Sequence, residues 1–214
     1  MPPKILYFDL GKVLLDFSHE QMCRQMADVA GVSWESVHRA VFDDADCQAA
    51  LIRFETGHIS TDEFFDHICA ATDTAPDRRQ FAEAACDIFT PIAPMLALVE
   101  RLAAAGNRLA VLSNTNPVQW DFIADGRYPL LALGRPDCAF ERAILSYEIG
   151  AMKPDAAIYR AAAEQAGVAR EEMFFTDDRL ENIEGAAAVG IDAVHFAGCA
   201  GLVEQLRSRG VPGA

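Results

Sequence analysis

The chain has 214 residues, 51% of them hydrophobic and 23% charged, the composition of an ordinary globular protein large enough for one sizeable core and a smaller appended unit. A formal net charge of -14 repels nucleic-acid phosphates and anionic membrane surfaces. No apolar run approaches the roughly 20 residues that span a bilayer, and the opening MPPKILYFDL has none of the segments of a signal peptide, so the cytoplasm is the expected location.

Residues 4–8 (KILYF) form a short apolar run that ends on Asp9 and a glycine-containing loop, the pattern of a buried parallel strand. From about 19 to 90 every periodic signal is helical: Met22, Met26 and Val29, then Trp34, Val37 and Val41, then Phe64, Phe65 and Ile68, then Phe81, Ala85 and Ile88. Ser60 followed by Glu63 has the form of a capping box, and Pro76 lies near the start of the last helix. Asp16 to His19 and Pro91 to Pro94 are the expected hinges, because the two prolines stop either neighbouring helix. Beyond them the spacing predicts helix over 94–105, strand over 108–112, a weaker strand over 143–147, helix over 154–166, strand over 172–176, helix over 180–189 and strand over 192–196. Such alternation implies an α/β fold: a Rossmann-like parallel sheet core from residues 1–18 and 91–214, with an inserted α-helical cap domain over 19–90. The six cysteines include no CxxC pair, so reduced thiols are expected, with neither disulfides nor a zinc site.

In a parallel sheet, the loops at the carboxyl ends of the strands form the ligand crevice. Asp9 follows the first strand, Ser113, Asn114 and Thr115 the second, and Asp177 and Asp178 the strand over 172–176, with Lys153 just ahead of a helix opened by Pro154. Each residue alone has an ordinary structural use as a cap or a solvated charge. Together they have a chemical logic. An aspartate at a strand end can attack phosphorus and split one hard displacement into two easier ones. A carboxylate approaching a phosphate dianion needs a cation, and magnesium (Mg2+) held by Asp9 and Asp178 would supply it. Ser113 and loop amides would hold the phosphoryl oxygens, and Lys153 would offset charge on Asp9 and the phosphate. Asn182, four residues after Asp178, is expected on the same helical face, orienting that carboxylate, with Asp177 as the less demanding acid.

The segments YFDLGKVLLDF, LAVLSNT, GAMKPDAAIY and FFTDDRLENIEGA occur in the order and spacing of the four motifs of the haloacid dehalogenase superfamily, which the whole chain resembles. Within it the chain most resembles the bacterial α-D-glucose-1-phosphate phosphatase branch, with FETGHIS matching a cap segment there, and less closely the phosphatase domain of soluble epoxide hydrolases. The resemblance implies Asp9 as nucleophile, Ser113 and Asn114 at the phosphate, Lys153 as charge stabiliser and Asp178 as magnesium ligand. It also implies that the main-chain carbonyl of Gly11 reaches the metal. Most phosphatases of the superfamily carry a second acid two residues after the nucleophile, where this chain has Gly11, and a glycine or asparagine where it has Lys12. The expected activity is magnesium-dependent hydrolysis of a small phosphorylated metabolite, with a sugar phosphate in view. Its rivals are a metal-independent dehalogenase-type hydrolase and a protein that only binds a phosphometabolite. His58, with Arg53 and Glu55 near it in a cap turn, is the candidate substrate contact together with Arg53.

Overall fold

The computed structural model describes residues 2–214, so Met1 of the expected core segment lies outside the described residues. In chain order the first elements are β1 (Ile5–Phe8), β2 (Leu15–Phe17), α1 (His19–Ala30), α2 (Trp34–His38), α3 (Ala45–Glu55), α4 (Thr61–Thr72), α5 (Arg78–Cys86) and β3 (Phe89–Pro91). Next come α6 (Ala93–Ala104), β4 (Leu109–Ser113), α7 (Pro117–Ala124), β5 (Arg142–Leu145), α8 (Ser146–Ile149) and α9 (Ala156–Ala166). The last are β6 (Met173–Asp177), α10 (Leu180–Ala188), β7 (Asp192–His195) and α11 (Cys199–Ser208).

Five strands pair in parallel in the order β5-β4-β1-β6-β7. The fold is therefore the α/β, Rossmann-like sheet that the alternation predicts. The strand order changes direction at β1, and its carboxyl end is where an open sheet of this kind leaves a crevice. Pleating sends alternate residues of β1 to opposite faces. Leu6 and Phe8 join a core with Met95 and Leu98 of α6 and Leu202 and Leu206 of α11. Ile5 and Tyr7 join a second core with Ile158, Tyr159 and Ala162 of α9. The Tyr7 hydroxyl donates to the Ala162 carbonyl at 2.8 Å, so the one polar atom of this buried ring is satisfied. Both faces of the strand are thus fixed, and Asp9 leaves it from a rigid base.

Helices α1 to α5 enclose a third core, in which Phe54, Phe65 and Phe81 are buried. The capping box at Ser60 and Glu63 opens α4 as the sequence implies. The hinge segments differ from expectation. Leu15–Phe17 and Phe89–Pro91 pair with each other as an antiparallel ribbon, Phe17 opposite Phe89. Strands of three residues are too short for a readable alternation, which is why the sequence shows only their flanking prolines. The helical block also touches the sheet layer closely through Gly57. A Cβ there would lie 2.1 Å from the Tyr147 carbonyl oxygen, and φ is +69°, so a glycine is required for the turn after α3 to sit against α8.

Candidate active site

Ser113 and Asp177 are the last residues of β4 and β6, one position inside strands expected to stop just before them. Their side chains are therefore carried by the sheet itself. Asp9 follows β1, its amide donating to the Thr176 carbonyl at 3.0 Å, and it is 8% exposed. Lys153 reaches Asp9 and Asp177 from the loop ahead of α9. Its Nζ lies 2.7 Å from Asp9 Oδ1, 2.6 Å from Asp177 Oδ2 and 2.9 Å from the Leu112 carbonyl oxygen, and the residue is 3% exposed. Asn114 holds that loop in place: its Nδ2 donates to the Lys153 carbonyl at 2.9 Å and its Oδ1 accepts from the Lys153 amide at 2.7 Å. The Asn114 side chain is committed to the lysine's main chain, which leaves its main-chain amide for the phosphate contact expected from sequence. Ser113 faces the cavity that contains Asp9.

One carboxylate oxygen from each of Asp9, Asp177 and Asp178 lies within 4.8 Å of the others. Burial pushes the Asp9 carboxyl up to about 6, Lys153 pulls it back and Asp177 raises it further. Burial and the neighbouring Asp177 likewise raise Asp178 above the ordinary carboxylate range. Like charges this close are costly unless cations share them. The expected pairing of Asn182 with Asp178 is not found. Asn182 Nδ2 lies 3.0 Å from both oxygens of Asp177, whose Oδ1 also accepts the Arg179 amide at 2.8 Å. The reason is where the helix begins. α10 starts at Leu180, so Asp178 precedes its first turn and the four-residue spacing does not apply to it. Asp177 is thus fully supplied by Lys153, Asn182 and Arg179. Among the described residues no other side chain hydrogen-bonds the Asp178 carboxylate, while His195 Nε2 holds its main-chain carbonyl at 2.9 Å. Asp9 and Asp178 are the acids with oxygen left to offer. An all-oxygen donor set of this kind suits a hard divalent cation such as magnesium.

A family model for haloacid dehalogenase-like hydrolases matches residues 3–190. The chain belongs to this family. Among solved structures, this haloacid dehalogenase-like hydrolase is similar to a family enzyme from Bacteroides thetaiotaomicron in complex with magnesium and inorganic phosphate. The two are 26% identical with a TM-score of 0.76, over 92% of this chain and 96% of that one. A HAD-like family hydrolase from Porphyromonas gingivalis shares the fold at a TM-score of 0.77 and 22% identity, over 97% and 99% of the two chains. The drimenol cyclase drtB of Aspergillus calidoustus is 25% identical over 150 residues, which are 67% of this chain and 26% of that protein. The chain thus spans about a quarter of that relative's length.

The hydrolase also gives a physical reason for Gly11. A Cβ at this position would lie 2.7 Å from the Phe17 ring, so β2 fills the space that an acid would need. Lys12 takes the left-handed φ of 58°, which a lysine rarely adopts. It is held there by Nζ contacts of 2.5 Å to Asp16 Oδ1 and 2.7 Å to the Phe17 carbonyl oxygen. The Lys12 hydrogen bond in turn keeps Asp16 below the usual carboxylate range, which makes Asp16 a poor proton donor. Gly11→Asp is expected to lose about 1–3 kcal/mol to overpacking against Phe17, without faster turnover. Thermal unfolding beside a kinetic assay checks this, and a stable, faster variant would show that the space is free.

Three cavities line up through shared walls. The first, about 150 Å³, is lined by Asp9, Lys153, Asp178 and Asn182. It shares Gly11, Phe17, Ser113, Asn114 and Arg179 with a cleft of about 230 Å³, whose helical side presents His19 and Glu55. The cleft shares His19, Glu55 and Gln119 with a third cavity of about 80 Å³ between the helical block and α7, whose Val118 closes one side. Arg53 and His58, the substrate contacts expected from sequence, are exposed and line none of these three cavities. Glu55, the last residue of α3, lines both the cleft and the third cavity. Burial pushes its carboxyl up to about 7, with Arg179 pulling it back.

Proposed function

We propose that this hydrolase is a magnesium-dependent phosphatase acting on a small phosphomonoester through an aspartyl phosphate on Asp9. The observation that carries the proposal is the division of labour among the acids: Asp177 is occupied by Lys153 and Asn182, while Asp9 and Asp178 retain free oxygens beside a cavity. Asp9, Asp178 and the main-chain carbonyl of Gly11 would hold the cation. Bound magnesium neutralises charge so that a carboxylate can approach a phosphate dianion. The likeness to a family enzyme solved with magnesium and inorganic phosphate supports the same chemistry.

On this account Asp9 attacks phosphorus, Ser113 donates to a phosphoryl oxygen, and Lys153 holds Asp9 ionised and oriented while sharing the phosphate's charge. The leaving oxygen takes its proton from Glu55, the cleft acid that keeps its proton up to neutral pH, in place of a side chain at position 11. Residues 19–90 act as a cap that excludes bulk water, with residues 1–18 and 91–214 as the catalytic core. The sugar 1-phosphate that the sequence resemblance implies is one substrate of this class. A metal-independent dehalogenase has no evident use for the three clustered acids, and a mere binding protein has none for a buried carboxylate paired with lysine.

Three outcomes follow. Phosphate release from a panel of phosphomonoesters should require magnesium and stop with chelator. Asp178→Asn should lose the magnesium response by at least about a hundredfold, while the metal-free protein gains about 1 kcal/mol from relieved repulsion. Equal magnesium affinity in the variant would remove Asp178 from the metal site. Glu55→Gln should slow alkyl phosphates by about a hundredfold and aryl phosphates far less, since only poor leaving groups need the proton. A uniform loss across leaving groups would assign Glu55 a structural role instead.

A further inference from the structure

The cavity between the helical block and α7 has an apolar interior that phosphoryl transfer does not use. Its deeper walls are the buried apolar side chains of Met22, Met26, Val41, Phe54, Phe64 and Ile68, and its mouth carries His19, Glu55, Asn116 and Gln119. Protein interiors rarely keep voids larger than a water molecule. A polar void would fill with water, whereas an apolar one stays dry and accepts apolar guests. This void is not sealed from the chemistry. His19, Glu55 and Gln119 belong to both its wall and that of the cleft, and the cleft in turn shares Ser113 and Asn114 with the cavity at Asp9. The path from the nucleophile into the helical block thus begins with cations and amides, passes a polar collar and ends among methionine and phenylalanine side chains.

Resting on the phosphatase reading above, we propose that the leaving group of the natural substrate is a hydrocarbon: the phosphate sits at Asp9 and an alkyl or alkenyl chain crosses the cleft and ends in the cap cavity. At about 80 Å³, roughly half the engineered cavity that takes benzene, the space seats about three carbon atoms of that chain. A sugar reaching past His19, Glu55, Asn116 and Gln119 would have to bury hydroxyls against methionine and phenylalanine side chains, which is unfavourable. The proposal therefore divides the substrate in two. The phosphate end is set by the four motif loops, and the hydrocarbon end by residues of α1, the segment after α2, α3 to α5 and Val118 of α7.

The test uses the full chain with magnesium and two series of ligands. In the first, titration calorimetry follows methylphosphonate through octylphosphonate, which bind without being hydrolysed. Each seated methylene should tighten binding about fourfold, so three of them give on the order of sixtyfold between the ends of the series. In the second, phosphate release is compared for the matching alkyl phosphates and for glucose 1-phosphate. The longer alkyl phosphates should have the higher kcat/KM. Ala85→Leu, which fills the cavity from α5, should flatten the chain-length ratio in both series and raise Tm. Phosphonate affinity that does not depend on chain length, or tighter use of glucose 1-phosphate than of octyl phosphate, overturns the hydrocarbon site. Chain-dependent phosphonate binding without phosphate release from any ester upholds the site and overturns the phosphatase reading alone. An unaltered ratio in an Ala85→Leu protein that is folded would place the chain elsewhere and overturn the proposal.

Discussion

Asp9→Asn should abolish turnover while leaving the fold in place. The amide keeps the carboxylate's shape, but its nitrogen carries no nucleophilic lone pair for phosphorus, so a loss on the order of a thousandfold or more is expected. Folding should survive, because Asp9 contributes its main-chain hydrogen bond to Thr176 in either form and Lys153 keeps Asp177 as a partner. Circular dichroism and thermal unfolding check the fold, and phosphate release checks the chemistry. Turnover near the wild-type rate in a folded variant would move the nucleophile to another residue.

Lys153→Met should have the largest effect on stability. The lysine side chain is 1% exposed and its ammonium lies within 2.7 Å of carboxylates from two strands. Methionine fills the space of the stem but leaves Asp9 and Asp177 facing each other without a cation. Removing one partner of a buried pair costs about 3–5 kcal/mol, because the remaining charge stays desolvated. Activity should vanish too, since Asp9 without the lysine's pull holds its proton to higher pH and a neutral carboxyl does not attack. Urea unfolding measures the stability loss. Adding Asp177→Asn to the Lys153→Met chain should restore part of it, by removing the second charge. If Lys153→Met unfolds at the wild-type urea concentration, charge pairing is not what holds the three loops together.

The sheet and the four loops were legible because their signals are local. An apolar run closed by an acid, a serine and asparagine after another run, and a pair of aspartates after a third each occupy a few consecutive residues. Lys153 was legible for the same reason, through Pro154 and the helix that follows. What stayed hidden depends on contacts between distant segments. Gly11 is explained by Phe17, whose ring is placed by pairing with Phe89 far along the chain. Asn182 meets Asp177 rather than Asp178 because α10 begins only at Leu180, so the four-residue helical spacing does not reach back to Asp178. Asn114 reads as an anion ligand from its motif, yet its side chain serves the Lys153 main chain 39 residues away. Glu55, rather than Arg53 or His58, faces the cleft because Gly57 seats that turn against Tyr147, a choice made by packing between layers. A paired reading of position 11 and the cap acids could have raised Glu55, since a missing proton donor must be replaced from somewhere.

The proposed chemistry depends on one covalent bond, between Asp9 and phosphorus. Acyl phosphates survive an acid quench and are reduced by borohydride, which converts the aspartate that carried the phosphoryl group to homoserine. Wild-type protein quenched in acid during steady turnover of an aryl phosphate with magnesium, then reduced and mapped by peptide mass spectrometry, should carry homoserine at position 9. The same treatment of Asp9→Asn, or of wild type with chelator, should leave the peptide unmodified. Homoserine at Asp178, or rapid phosphate release with no reduction at Asp9, would contradict the assignment of the nucleophile.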